Sequence, residues 1–168
     1  MKVNSLLALI AMVAALAPAH ALAADDDPYA PLKLYQGRWA VTSDQDGKTM
    51  TVENRCARTG LFFACEQAVE GKTKALVVFL PDGRTSDGLF YHTQTLTPTA
   101  APPGGWNALT IDGDRWTYAG SHTGKAERER TINLFSGPDR IRFETQESKD
   151  GRTWTTKVSG EERRIPGA

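Results

Sequence analysis

The stretch Cys56-Ala57-Arg58-Thr59-Gly60-Leu61-Phe62-Phe63-Ala64-Cys65 carries the reading of the fold. Taken as a hairpin, it turns at Gly60-Leu61, where Gly60 supplies the positive φ that a type II′ turn needs at its first central position. Thr59 then faces Phe62, Arg58 faces Phe63, and Cys56 faces Cys65. The cysteines fall on a non-hydrogen-bonded pair, with Cα atoms about 4.5 to 5.5 Å apart, inside the range a disulfide accepts. A redox-active pair and a metal site compete with a structural bridge. The first usually sits as Cys-x-x-Cys at a helix start, and the second needs more ligands than two cysteines and distant histidines give.

The register extends outward. Met50, Val52, Asn54 and Cys56 share a face with Phe63, Cys65, Gln67 and Val69, which sets Asn54 opposite Gln67. On that mostly apolar face the two amides are read first as a mutually satisfied core contact, and second as the polar element of a ligand cavity.

Beyond the hairpin no stretch has 3.6-residue periodicity. Short runs rich in Val, Thr, Phe, Tyr and Trp alternate with turn clusters such as Glu70-Gly71, Asp112-Gly113-Asp114 and Ser148-Lys149-Asp150-Gly151. About ten candidate strands joined by short loops predict an all-β antiparallel, up-and-down meander. Ile141, Phe143 and Thr145 alternate with Arg140, Arg142 and Glu144. Trp154, Thr156 and Val158 alternate with Thr153, Thr155 and Lys157. The run from Thr73 to Leu80 is apolar on both faces at its end and predicts a strand covered on both sides. The proline-rich stretch 97–105 predicts a long loop, read as an insertion in preference to a lid.

At the amino terminus, Lys2, an apolar run from Leu6 to Leu16 and the ending Ala21-Leu22-Ala23 have the pattern of a cleaved secretory signal over residues 1–23. Residues 24–31 read as a flexible leader, and residues 32–168 as a single β domain. Export to the periplasm or beyond favours a persistent disulfide, so the bridge is the preferred reading of Cys56 and Cys65. Acidic and basic residues number 20 each in the whole chain. That balance offers no field for nucleic acid, and no later apolar run is long enough for a membrane helix. Oligomeric state is left open.

Chemistry-bearing motifs are few. His92 and His122 lack partners at metal or catalytic spacing, and no nucleophile elbow, phosphate loop or dinucleotide fingerprint occurs. Most carboxylates sit in turns or alternate with Arg and Lys, as solvated strands do. The expectation is a protein that is not an enzyme, with no cofactor and no metal. Trp39, Trp106, Trp116 and Trp154 each fall in a candidate strand, with Tyr118 on the face of Trp116. They suit either a filled core or a wide apolar interior.

Gln36-Gly37-Arg38-Trp39, a Gly-x-Trp at the start of the first strand of an exported meander, resembles the opening of lipocalin-like (calycin) barrels. The run Ser148 to Trp154, followed by Gly160 and Arg163, resembles the last hairpin of small bacterial lipocalin-like domains of unassigned function. The resemblance implies about eight to ten strands closing into a barrel, its floor closed by Trp39. It further implies an interior that holds a small apolar or amphiphilic molecule. The candidate interior residues are Trp39, Asn54, Gln67, Trp116, Tyr118, Phe143 and Trp154. Two alternatives stand beside that reading: a periplasmic protease inhibitor acting through the leader, and a structural envelope protein with a solid barrel.

Overall fold

A computed structural model describes residues 27–85, 88–98, 106–120 and 128–167. The signal-like segment 1–23, residues 24–26, most of the 97–105 loop and His122 lie outside the described residues.

Ten antiparallel strands follow one another around a closed barrel: β1 (Gly37–Ser43), β2 (Thr49–Thr59), β3 (Phe62–Val69), β4 (Lys72–Thr85), β5 (Gly88–Leu96), β6 (Asn107–Asp112), β7 (Arg115–Ala119), β8 (Arg128–Phe135), β9 (Arg140–Ser148) and β10 (Thr155–Arg164). Each pairs with its sequence neighbours, and β10 closes on β1. Closure leaves no edge strand to be shielded.

The hairpin at β2 and β3 has the expected register: Thr59 opposite Phe62, Cys56 opposite Cys65 and Asn54 opposite Gln67. Gly60 has φ 59°, while Leu61 stays at negative φ, the combination a type II′ turn demands. The Cys56–Cys65 disulfide joins the two strands with Cα atoms 4.0 Å apart, a closer approach than the pairing alone predicts.

Following the register around the barrel gives one inward set. Trp39 lies beside Val52, Cys56 beside Cys65, Val77 beside Cys65, Tyr91 beside Leu109, Trp116 beside Asn133, Phe143 beside Gly160, and Arg164 beside Trp39. Strand alternation puts the intervening residues outside. There Glu53, Arg55, Glu66, Arg140, Arg142 and Glu161 make ion pairs with one another or with loop groups, which gives the outer wall a polar, charged character. Among the described residues no helix is long and apolar enough to cross a membrane.

Three expectations need correction. β4 is covered on one face only, because Leu76, Val78 and Leu80 lie on the outer wall and Leu76 is 38% exposed. Single apolar residues on such a wall are ordinary. Trp106 and Trp154 stand immediately before β6 and β10 and not within them. Finally, residues 27–31 of the expected leader are ordered parts of the fold: a turn at 28–30 leads into a 3-10 helix over Pro31–Tyr35, and Tyr29 and Leu32 are buried. The anchor is aromatic, a signal the Asp-rich flank masked.

Candidate functional site

In an up-and-down barrel alternate connections emerge at opposite ends. The turns after β2, β4, β6 and β8 share one end with the entry to β1 and the exit from β10. Residues 27–36 run across that end and close it. The Tyr29 ring stacks on Phe63 at 5.6 Å and its hydroxyl donates to the Leu61 carbonyl. Tyr91 donates its hydroxyl to the Pro28 carbonyl. Further along, the Tyr35 carbonyl accepts from Trp39 Nε1 at 3.1 Å and from Asn54 Nδ2 at 3.3 Å, while its ring stacks on Trp116 at 5.8 Å. Five strands, β1, β2, β3, β5 and β7, are thereby tied to this one short segment.

Arg164 locks the same floor. Its guanidinium lies 4.2 Å from the centre of the Trp39 ring and donates to the carbonyls of Gln36, Leu34 and Pro138 at 2.6, 2.7 and 2.8 Å. Gly37, at φ 118°, leaves the room this needs, since a Cβ there would sit 2.7 Å from Arg164 Nη1. The Gly-x-Trp of the sequence is thus the site where first strand, last strand and floor meet.

Above the floor the packing loosens. Trp39, Leu109, Trp116 and Ile141 are at most 1% exposed. Higher up the same inward face, Val41, Gln67, Val77, Tyr118, Phe143 and Thr145 are only half-buried. Met50 and Val158, near the far rim, are each 42% exposed. Side chains that point into a closed barrel yet retain accessible surface border an interior space. Among the described residues the barrel is thus cup-like, packed tightly at the 27–36 end and more loosely towards the other.

The cup has polar groups at set heights. Gln67 Nε2 donates to Asn54 Oδ1 at 3.3 Å, so each amide partly satisfies the other. The Thr131 and Thr145 hydroxyls are 3.1 Å apart. Asn133, 2% exposed, donates from Nδ2 to the Tyr35 hydroxyl at 3.0 Å, and Tyr35 is in turn hydrogen-bonded to Tyr118. The Asn133 Oδ1 atom is buried without a hydrogen-bond partner among the described residues.

Glu162 joins this group. It lies opposite Ile141 on one side and Val41 on the other, both inward-facing, so its carboxyl points into the cup. Burial pushes its pKa up to about 7, and no neighbouring cation offsets that effect. Burial also raises the Tyr35 and Tyr118 phenols, and the nearby Glu162 charge adds to both shifts.

Of the residues singled out from sequence, Trp39 and Trp116 form the floor, Asn54 and Gln67 the amide pair above it, and Tyr118 and Phe143 the wall of the cup. Phe143 leans over Gly160, where a Cβ would meet its Cζ at 2.6 Å. Trp154 belongs elsewhere: its ring covers the Arg130 guanidinium at 3.9 Å. Arg130 alternates with the inward Thr131 and so lies on the outer wall. His92 is also outside, 3.0 Å from Asp82 and edge-on to Phe90. Among the described residues no group of three His, Cys, Asp or Glu could hold a metal ion.

Sequence reasoning missed Tyr35, Asn133, Glu162 and Arg164. Glu161-Glu162-Arg163-Arg164 has the look of a solvated run, but carrying the alternation back from Arg164 puts Glu162 on the side of Trp39. The chain matches no protein-family model and no curated protein.

Proposed function

We propose that this protein binds a small apolar or amphiphilic molecule inside the barrel, as an exported carrier or sensor and not as an enzyme. One observation carries the reading: Val41, Gln67, Val77, Tyr118, Phe143 and Thr145, inward-facing above the floor, remain partly exposed, while the side chains at the floor are packed. A cavity with apolar walls and a few fixed polar groups is the usual form of a small-molecule site. The Cys56–Cys65 bridge and the signal-like amino terminus support a place outside the cytoplasm. The likeness to lipocalin-like barrels agrees with it, resting on Gly37 and Trp39 at the floor.

A solid structural barrel would pack its inward side chains from end to end. The inhibitor reading would need a free leader, whereas residues 27–35 hold the floor together. Titration with an extract of cell-envelope lipids, followed by intrinsic tryptophan fluorescence, tests the proposal, because Trp116 forms the bottom of the cup. A saturable change supports it. No change with any lipid fraction, together with no lipid carried by the purified protein, would sink it.

A further inference from the structure

Among the described residues, the wall of the cup carries one formally charged side chain with no counter-ion, Glu162. Glu162 is flanked on β1 by Trp39, Val41 and Ser43 and on β9 by Ile141, Phe143 and Thr145, none of which titrates in its range. The ionisable groups that face it are the Tyr35 and Tyr118 phenols. On its own strand Arg164 points the same way, but its guanidinium is spent on the Leu34, Gln36 and Pro138 carbonyls and on Asp139 Oδ1 at 2.9 Å. Glu147, at the upper end of β9, pairs with Lys157 at 2.9 Å.

Two acceptor groups stand open in the interior. A carboxylate only accepts, and the carboxyl oxygens of Glu162 make no hydrogen bond among the described residues. The buried Asn133 Oδ1 is a second acceptor without a donor. An interior with an uncompensated negative group and an open buried acceptor is complementary to a ligand that brings donors and positive charge.

We propose that the molecule held in the cup is a cationic amphiphile whose ammonium head pairs with the Glu162 carboxylate while its alkyl chain lies along Val41, Val77 and Phe143. This rests on the ligand-binding reading above and adds the chemical class. A bare cavity lined by apolar groups would take a neutral chain equally well. The carboxylate makes the difference, because Glu162 is already withdrawn from water without a counter-ion, and an ammonium head relieves that uncompensated charge with no second desolvation of the carboxylate.

The test is calorimetric titration of the full chain with three matched probes below their aggregation limits: dodecylamine, dodecanol and dodecanoate. At pH 8 the amine is expected to bind at least tenfold tighter than the alcohol, with the carboxylate weakest. Because only ionised Glu162 pairs with the head, amine affinity should fall about tenfold between pH 8 and pH 6. The Glu162→Gln variant, checked for native circular dichroism, should lose both the preference and the pH dependence while still binding dodecanol. Equal binding of amine and alcohol by the wild-type protein overturns this inference and leaves the cavity reading intact. Binding of none of the three overturns both.

Discussion

Replacing Glu162 with Gln exchanges one carboxyl oxygen for an NH2 group and removes a charge from the interior, so stability should respond in a pH-dependent way. The carboxyl is buried and its pKa is pushed from 4.5 to about 7. That rise corresponds to about 3 kcal/mol. The raised value means that the folded protein holds this proton more tightly than the unfolded chain. Its contribution is therefore fully present below pH 4.5 and lost as pH rises through 7. At pH 8 the wild-type protein bears a buried charge that the variant lacks, so Glu162→Gln should be more stable by about 2 to 3 kcal/mol. For a chain of this size that is roughly 5 to 10 °C in Tm. At pH 5 both folded proteins are neutral at this site, and the gap should shrink to about 1 kcal/mol or roughly 2 to 4 °C, what remains coming from partial ionisation of unfolded Glu162. Thermal melts by near-ultraviolet circular dichroism at pH 5, 6, 7 and 8 would measure the difference. The same gap at every pH, or a variant less stable at pH 8, would refute the placement of Glu162 in the barrel.

Three further perturbations probe the frame. Replacing both Cys56 and Cys65 with Ala should lower stability by about 2 to 3 kcal/mol, the closure entropy of so short a loop, and leave the far-ultraviolet spectrum unchanged; chemical denaturation checks it. Arg164→Ala should cost about 2 to 3 kcal/mol, because it removes the cation over Trp39 and frees three carbonyls at the floor; a blue-shifted tryptophan emission kept unchanged at full stability would contradict that role. Asp150 accepts from the Arg152 and Thr153 amides, both at 2.8 Å, and these bonds hold its pKa at about 2. Asp150→Ala should melt lower than the wild type at pH 7. In acid the gap should close only as pH falls below the ordinary carboxylate value towards 2.

The parts of the fold that could be read in the sequence are those fixed by short-range rules. A glycine at the first position of a two-residue turn sets one register, and that register places Cys56, Asn54 and Val52 against Cys65, Gln67 and Val69. Alternation in Ile141, Phe143 and Thr145 marks the inward side of β9 in the same way. What escaped depends on contacts far apart in the chain. Tyr29 and Tyr35 lie outside any strand pattern, yet they anchor the floor through Phe63 and Trp116. Glu162 sits in a run of four charges, where alternation puts two inside and two outside. Trp154 went the other way: a large aromatic in an apparently regular run covers an arginine on the outer wall, because the loop after β9 holds it outside the strand.

The central claim is that the upper half of the barrel is an accessible binding space. Intermolecular nuclear Overhauser effects between a bound dodecyl chain and protein methyl or aromatic protons test it most directly. Contacts are expected to Val41, Val77 and Phe143, which face inward, and none to Leu76 or Leu134 on the outer wall. Contacts confined to the outer residues, or none at saturating ligand, would contradict it.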